Sequence, residues 1–486
     1  MEKRNHFIWF LYACILCLCF SVVTASLTRL MGLPVQFYFL LTAAAAAVAL
    51  LAIYLPARLM AAKWRPGTDW MFEGKKGGFS SLLIPVALTA LLVCARLFFA
   101  PDTGAMEGQV WRQAVSEDAV FSPFLGDLYA LLLRAAMSVL SEDAVVFGVN
   151  VALQAAGLVF FYGGIRRLEG AFCGITAALA SIFLPPFSDS AMAAEPQSLL
   201  FFFASLLIWL GGLFVSQKGT RRVLRGFLLV LVSLLCGMGI LTAPLLSSIF
   251  FFWLALLAVR FRSVRTRGLA VGAALCGGLC GFCALILAGA LWGGQAGSLS
   301  GRVTSLLESW LTLFASRETD AILHSPSLTD YWTALAVFVP ALFALFSPAP
   351  DARRGRDFFP AWTVLLGAVA AWETLSKAPF QEQGLRFACL GIFSGMGIRN
   401  MLQPPPCPET DAGKSGRKQR EKAEETEETV PGPAPSGPAP GEYLENPLPV
   451  PKRHKRREMG YGFEPRQDQM YYEIPVADSD DFDLKE

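Results

Sequence analysis

The chain has 486 residues, of which 54% are hydrophobic and only 16% are charged. Soluble domains carry about 25% charged residues, so a single water-soluble core cannot hold this many apolar side chains. Apolar runs recur from the N-terminus to about residue 402, and many approach the roughly 20 residues that a helix needs to cross a bilayer. The composition therefore predicts an all-α polytopic membrane protein. It excludes a soluble enzyme, a fibrous protein and a disulfide-stapled secreted domain.

About twelve apolar segments are predicted to be membrane-spanning helices. They cover residues 7–25, 36–56, 81–100, 144–164, 171–187, 196–216, 226–242, 244–260, 268–292, 331–347, 358–374 and 386–402. The first is interpreted as a retained helix rather than a signal peptide, because a second span follows it at once. Thr242-Ala243-Pro244 has two open interpretations, a tight turn between two short spans or a kink in one long helix.

Lysine and arginine cluster in alternate connections between these spans. The clusters lie within 58–76, 166–167, 218–225, 260–267 and 353–356. With twelve spans, all of them share the side of Lys3 and Arg4, and the positive-inside rule makes that side the cytoplasm. Both termini are then cytoplasmic. A single helix over 226–260 would place the later basic connections outside.

Two connections on the exterior side are long, at about 101–143 and 293–330. Each contains an amphipathic stretch, 125–140 in the first and 303–314 in the second. Apolar residues at helical spacing predict interfacial helices there, with the apolar face toward the membrane.

The chain divides into three regions by composition. Residues 1–80 are predicted to form a transmembrane hairpin with a basic cytoplasmic loop, and 81–402 form the membrane core. The tail, 403–486, carries 12 Lys+Arg and 18 Asp+Glu and contains proline-rich runs, which predicts a disordered cytoplasmic tail. Its basic run at 452–457 either contacts anionic lipid headgroups, pairs with the acidic end at 478–483, or binds a cytoplasmic partner.

The motifs of soluble enzymes are missing from the sequence. It contains no Walker A loop, no dinucleotide-binding glycine pattern and no G-x-S-x-G elbow. The glycine pairs at 277–278 and 293–294 indicate close helix packing rather than phosphate binding. Two cysteine pairs, at 14 and 17 and at 280 and 283, have metal-site spacing. However, no histidine or charged cluster accompanies them, so no metal site is expected there. No cofactor and no nucleic-acid partner are expected for the chain.

The first exterior loop is unusually polar and begins directly after a predicted span. It contains Asp102, Glu107 and Arg112. A carboxylate where the chain leaves the bilayer is partly desolvated, which raises its basicity and suits a general base that takes a proton from a hydroxyl. Arg112 is a candidate phosphate ligand. The alternative interpretation is that all three are ordinary solvated loop charges.

Four motifs follow one another in order between about residues 81 and 214. They are Met106-Glu107-Gly-Gln-Val-Trp111-Arg112, the proline-led stretch from Ser122-Pro123, Phe161-Tyr-Gly-Gly-Ile-Arg166-Arg167-Leu-Glu-Gly170, and Ala191-Met-Ala-Ala-Glu195-Pro196. In this order they resemble the multi-pass glycosyltransferases of the GT-C fold. The most similar group is the protein O-mannosyltransferase and lipid A aminoarabinose transferase group, which is glycosyltransferase family 39-like. That group has an Asp-Glu pair where this chain has Met106-Glu107, so only the second acid is in place.

The resemblance implies a bacterial plasma-membrane enzyme that moves a sugar from a polyprenyl-phosphate donor to a hydroxyl acceptor, with inversion, on the exterior face. Glu107 would be the catalytic base, with Asp102 as its reserve. Six further residues would bind the donor phosphate or the substrate: Arg112, Glu195, Lys377, Arg386, Arg302 and Arg317. The partners would be the lipid-linked sugar and membrane lipid. Two alternatives stay open, a transporter or flippase of a lipid-linked solute and a non-catalytic envelope assembly protein.

Overall fold

The computed structural model describes residues 7–8, 10–19, 44, 48, 80–98, 109–116, 122–216, 222–261, 263–292, 298–312, 328–344, 358–376 and 383–402. These residues are almost entirely helical, and no strand occurs among them. The predicted span 36–56 falls almost wholly outside this part of the chain, and the predicted disordered tail falls entirely outside it.

Fifteen α-helices are found in the described residues. They are α1 (Phe10–Cys19), α2 (Ser80–Phe98), α3 (Gln109–Val115), α4 (Leu125–Met137), α5 (Glu142–Leu168), α6 (Ala171–Phe183), α7 (Pro185–Asp189), α8 (Gln197–Ser216), α9 (Arg222–Thr242), α10 (Ser247–Arg260), α11 (Val264–Trp292), α12 (Leu299–Thr312), α13 (Leu328–Phe343), α14 (Phe359–Leu375) and α15 (Gly384–Leu402).

Four stretches of these helices are long and apolar enough to cross a membrane. They are Ala144–Leu168, Gln197–Ser216, Val223–Thr242 and Val264–Trp292. Shorter apolar helices include α1, α6 and α10, and part of α2 and of α14. The architecture confirms an all-α fold with the character of a membrane protein. The number of twelve spans stays a prediction.

The chain reverses direction between α9 and α10. Pro244 opens a short 3-10 turn that ends at Leu246, and the indole nitrogen of Trp253 donates to the hydroxyl of Ser233 at 3.0 Å. In one continuous helix, residues this far apart in sequence would be separated by about 30 Å. Thr242-Ala243-Pro244 therefore forms a turn between two helices, which is the first of the two predicted alternatives, and not a kink in one long helix.

Glycines allow α9 and α11 to pack with their backbones in close approach. A Cβ atom at Gly237 would overlap the carbonyl oxygen of Gly278, and one at Gly281 would overlap the carbonyl oxygen of Leu234. Small residues at such positions let membrane helices approach closely. The glycine pair at 277–278 therefore serves helix packing, as the sequence predicted.

Replacing Gly237 by alanine is expected to destabilise the fold by about 1–3 kcal/mol, because the added methyl group has no space beside the α11 backbone. Gly226 lies on the same helix, where a Cβ atom would meet nothing within 4 Å, so Gly226→Ala is the matched control. The measurement is thermal unfolding of both variants in one detergent. Equal midpoints for the two would contradict the packing described for α9 and α11.

One end of the helical bundle is tied together by Glu169, which follows α5. The indole nitrogen of Trp362 donates to a Glu169 carboxylate oxygen at 3.0 Å, and Arg399 donates to the Glu169 backbone carbonyl at 2.7 Å. These contacts join the end of α5, the start of α14 and the end of α15. In the predicted alternation of spans, these three helix ends all lie on the same side of the membrane. We call this end, with Arg166 and Arg167 beside Glu169, the basic end.

Candidate functional site

The opposite end of the bundle contains α3 and α4, the described helices of the first exterior loop of the sequence prediction. Helices α3 and α4 pack against each other there, and a guanidinium nitrogen of Arg134 donates to the carbonyl of Ser116 at 3.1 Å. Helix α4 buries one face, made of Leu125, Tyr129, Ala130 and Leu133. The stretch predicted at 125–140 is therefore helical over Leu125–Met137, but its apolar face packs into the protein core and not toward the membrane as expected. The second predicted stretch, at 303–314, overlaps α12.

Gln154 on α5 is the centre of a buried group of polar contacts. Its amide nitrogen lies 3.0 Å from the carbonyl oxygen of Phe187 and 3.1 and 3.2 Å from the hydroxyls of Ser190 and Ser198. Its amide oxygen accepts from the Nε of Arg96 at 2.9 Å. Arg96 also donates to the carbonyl of Ile182 at 2.8 Å. These hydrogen bonds thus join helices α2, α5, α6 and α8 through one buried group of polar side chains.

Asn150 makes a second set of contacts, one helical turn before Gln154. Its amide nitrogen lies 2.9 Å from the carbonyl oxygen of Ala193 and 3.3 Å from that of Ala191. Its amide oxygen accepts from the hydroxyl of Tyr129 at 2.8 Å. Burial raises the pKa of this hydroxyl, and the hydrogen bond to Asn150 acts in the opposite direction. Tyr129 therefore stays protonated and remains a donor.

We call this group the polar layer, and its end of the bundle the polar end. Its members are Arg96, Tyr129, Asn150, Gln154, Ser190 and Ser198, each at most 5% exposed. A buried polar group without a partner costs about 1–3 kcal/mol, so a cluster this deeply buried is stable only because its members satisfy one another. The polar layer fixes residues 187–198, which comprise the end of α7, the connection 190–196 that carries Glu195, and the start of α8.

The described site candidates on α3, on α12 and before α8 have at least partly accessible side chains. Arg112 is exposed on α3, Glu195 is exposed just before α8, and Arg302 is half-buried on α12. Glu195 is close enough to Tyr129 for its charge to raise the pKa of the tyrosine further. The structure therefore brings Glu195 to the polar end, near α4. Asp102, Glu107, Arg317 and Lys377 lie outside the described residues.

Arg386 is buried, in contrast to Arg112 and Glu195. Its Nε lies 2.7 Å from a carboxylate oxygen of Glu373, and the two side chains are 1% and 2% exposed. A second guanidinium nitrogen donates to the carbonyl of Ala370 at 3.0 Å. This ion pair joins the last turn of α14 to the first turn of α15. Arg386 is thus already engaged within the protein.

A small pocket lies between the connection to α8 and the start of α15. It is lined by Pro186, Phe187, Ser190, Gln197, Leu200, Phe201, Gly384 and Leu385. The pocket places the beginning of α15, with Arg386 on its first turn, at the polar end. The contacts at the two ends therefore agree with the predicted alternation for α5, α14 and α15.

Helix α12 also reaches the polar end. A Cβ atom at Gly289 on α11 would meet Leu306 of α12 and Pro123, each at 3.2 Å. Pro123 leads into α4, so α12 and the start of α4 lie beside the same part of α11. Arg302, one turn before Leu306, is accordingly a cation near the polar end.

The described residues contain no group of His, Cys, Asp and Glu that could hold a metal ion. Cys280 and Cys283 are exposed on α11 rather than turned toward other ligands. The described part of the chain thus offers the pair at 280 and 283 no further metal ligands.

Sequence reasoning missed Arg96, Asn150, Gln154 and Glu373. Asn150 and Gln154 lie four residues apart in an otherwise apolar helix, and polar residues in such helices usually face the protein interior and pair there. That spacing was the available signal. It identifies the buried face, whereas the partners on α2, α4 and the connection depend on tertiary packing.

Comparison with models of known protein families and with curated proteins finds no match for this chain.

Proposed function

We propose that the protein is a membrane glycosyltransferase that moves a sugar from a polyprenyl-phosphate donor to a hydroxyl acceptor. It acts at the exterior face of a bacterial plasma membrane, with both termini in the cytoplasm. The proposal builds on the resemblance of the ordered motifs to GT-C enzymes. It assigns the polar end to the exterior.

The observation that supports the proposal is that α3, which follows Glu107 in sequence, and the connection that carries Glu195 lie at the same end of the bundle. Helix α3 begins at Gln109, two residues after Glu107, and packs on α4. Tyr129 of α4 holds Asn150, whose amide binds the connection that carries Glu195. The loop motif around Glu107 and the motif around Glu195 are therefore attached to the same polar end.

The chemistry follows from these residue types. Glu107, with Asp102 as reserve, takes the proton of the acceptor hydroxyl while its oxygen attacks the anomeric carbon. The bond from that carbon to the phosphate oxygen breaks, and the configuration inverts. The lipid phosphate leaves with the bonding electrons, and nearby cations stabilise its charge. Arg112 and Arg302 are the accessible candidates among the described residues. Arg317 and Lys377, which lie outside them, are further candidates from the sequence, and Glu195 binds the sugar.

The role of Arg386 in this proposal depends on its ion pair with Glu373. It contacts a donor phosphate only if its ion pair with Glu373 opens or if Glu373 is shared with the substrate. The same buried pair favours a second candidate function, transport of a lipid-linked solute, because buried charges in membrane helices often mark transport pathways.

The test uses the full-length protein in proteoliposomes with radiolabelled polyprenyl-phosphate hexose, pentose and aminosugar donors and a hydroxyl acceptor. The proposal predicts labelled acceptor and an equal amount of free polyprenyl phosphate. Movement of intact donor across the bilayer without release of lipid phosphate would favour the transporter. Neither transfer nor movement would leave the assembly protein as the remaining interpretation.

A further inference from the structure

Two side-chain amides on α5 bind the first half of the connection between α7 and α8 and the helix ends on either side of it. Gln154 binds Phe187 at the end of α7, Ser190 at the start of the connection and Ser198 at the start of α8. Asn150 binds the connection through the carbonyls of Ala191 and Ala193. The connection is thus attached at several points to one helix.

Each amide is oriented by a donor from a different helix. Arg96 of α2 donates to the oxygen of Gln154, and Tyr129 of α4 donates to the oxygen of Asn150. An amide carries an acceptor on one side and donors on the other. With the oxygen engaged, the nitrogen must face the connection. A reversed Asn150 amide would place its oxygen against two carbonyl oxygens.

We infer that Asn150 and Gln154 are positioning residues that keep the connection in one conformation and so hold Glu195 at the polar end. Arg96 and Tyr129 fix the direction of the two amides. We call the four residues the amide clamp. The part of this inference that concerns the sugar donor rests on the proposed function, whereas the clamping of the connection does not.

The Gln154→Glu variant distinguishes the hydrogen bonds of the clamp from the packing of the Gln154 side chain. The variant keeps the side-chain length and gives Arg96 a carboxylate to bind, but a carboxylate cannot donate to Phe187, Ser190 and Ser198. We expect amide hydrogen exchange in peptides covering 187–192 to become about tenfold faster, the effect of losing about one net hydrogen bond. The thermal midpoint should fall modestly, in line with the loss of about one net hydrogen bond.

Tyr129→Phe tests the second amide separately. It removes the hydroxyl that orients Asn150 and leaves Gln154 untouched, so exchange should quicken around 191–195 and stay unchanged within α7. Ser205→Ala, a buried serine of α8 outside the clamp, is the control that should leave both segments unchanged. Unchanged exchange of the connection in both Gln154→Glu and Tyr129→Phe would overturn the clamp.

A kinetic measurement tests the positioning role. In proteoliposomes, Gln154→Glu and Glu195→Gln should both raise KM for the lipid-linked donor severalfold, with a smaller change in kcat. Faster exchange with an unchanged KM would overturn the positioning role. If the wild-type protein transfers no sugar, the proposed function fails, and hydrogen exchange still decides whether the clamp exists.

Discussion

Replacing Glu107 by glutamine is expected to lower sugar transfer by about 10²- to 10⁴-fold, the usual contribution of a general base. Glutamine has nearly the same size as glutamate and can still form hydrogen bonds, but it cannot take the proton from the acceptor hydroxyl. The measurement is kcat for transfer from a labelled polyprenyl-phosphate sugar by the full-length protein in proteoliposomes.

Two further variants make the Glu107 result specific. Glu142 is an exposed acid at the start of α5, toward the polar end, and Glu142→Gln should leave transfer unchanged. Asp102→Asn should have a small effect if Glu107 is the base. Full activity in Glu107→Gln, together with loss of activity in Asp102→Asn, would move the role of base to Asp102.

Replacing Glu373 by leucine is expected to destabilise the protein by about 3–5 kcal/mol, because Arg386 would keep its charge in a buried place without its carboxylate. The double variant Glu373→Leu with Arg386→Met should recover most of that loss, since apolar residues of similar volume often replace a buried ion pair at little cost. Unfolding of the single and double variants in one detergent measures the coupling between the two side chains.

The double variant also separates two roles of Arg386. If the fold recovers and transfer recovers with it, the pair is structural and Arg386 does not bind the donor phosphate. If the fold recovers and transfer stays low, Arg386 takes part in the site despite its burial. A single variant Glu373→Leu as stable as the wild type would contradict the ion pair itself.

The helices were predictable from sequence, and several of their contacts were not. Long apolar runs and the amphipathic spacing at 125–140 determine where helices form, because both depend on local periodicity. Thr242-Ala243-Pro244 permits a kink or a turn with the same residues. The 3-10 turn at Pro244–Leu246 and the contact of Trp253 with Ser233 decide between them.

The candidate site was predictable in part. Glu195 lies at the polar end, in agreement with its position before a predicted span. Arg386 was expected to face the exterior as a phosphate ligand, and the sequence does not reveal that Glu373 of the preceding helix is its partner. The partner depends on how α14 packs against α15, which local sequence patterns do not encode. The roles of Glu107 and Asp102 stay predictions.

The most direct test of the account is the side of the membrane on which the polar end lies. A membrane-impermeant maleimide is applied to intact cells that produce Glu195→Cys or Ser263→Cys, with the native chain labelled in parallel for background. Glu195 and Ser263 are both exposed, one before α8 and the other before α11. The account predicts labelling of Glu195→Cys in intact cells and of Ser263→Cys only after permeabilisation. The reverse pattern would place the acids in the cytoplasm and contradict sugar transfer at the exterior face.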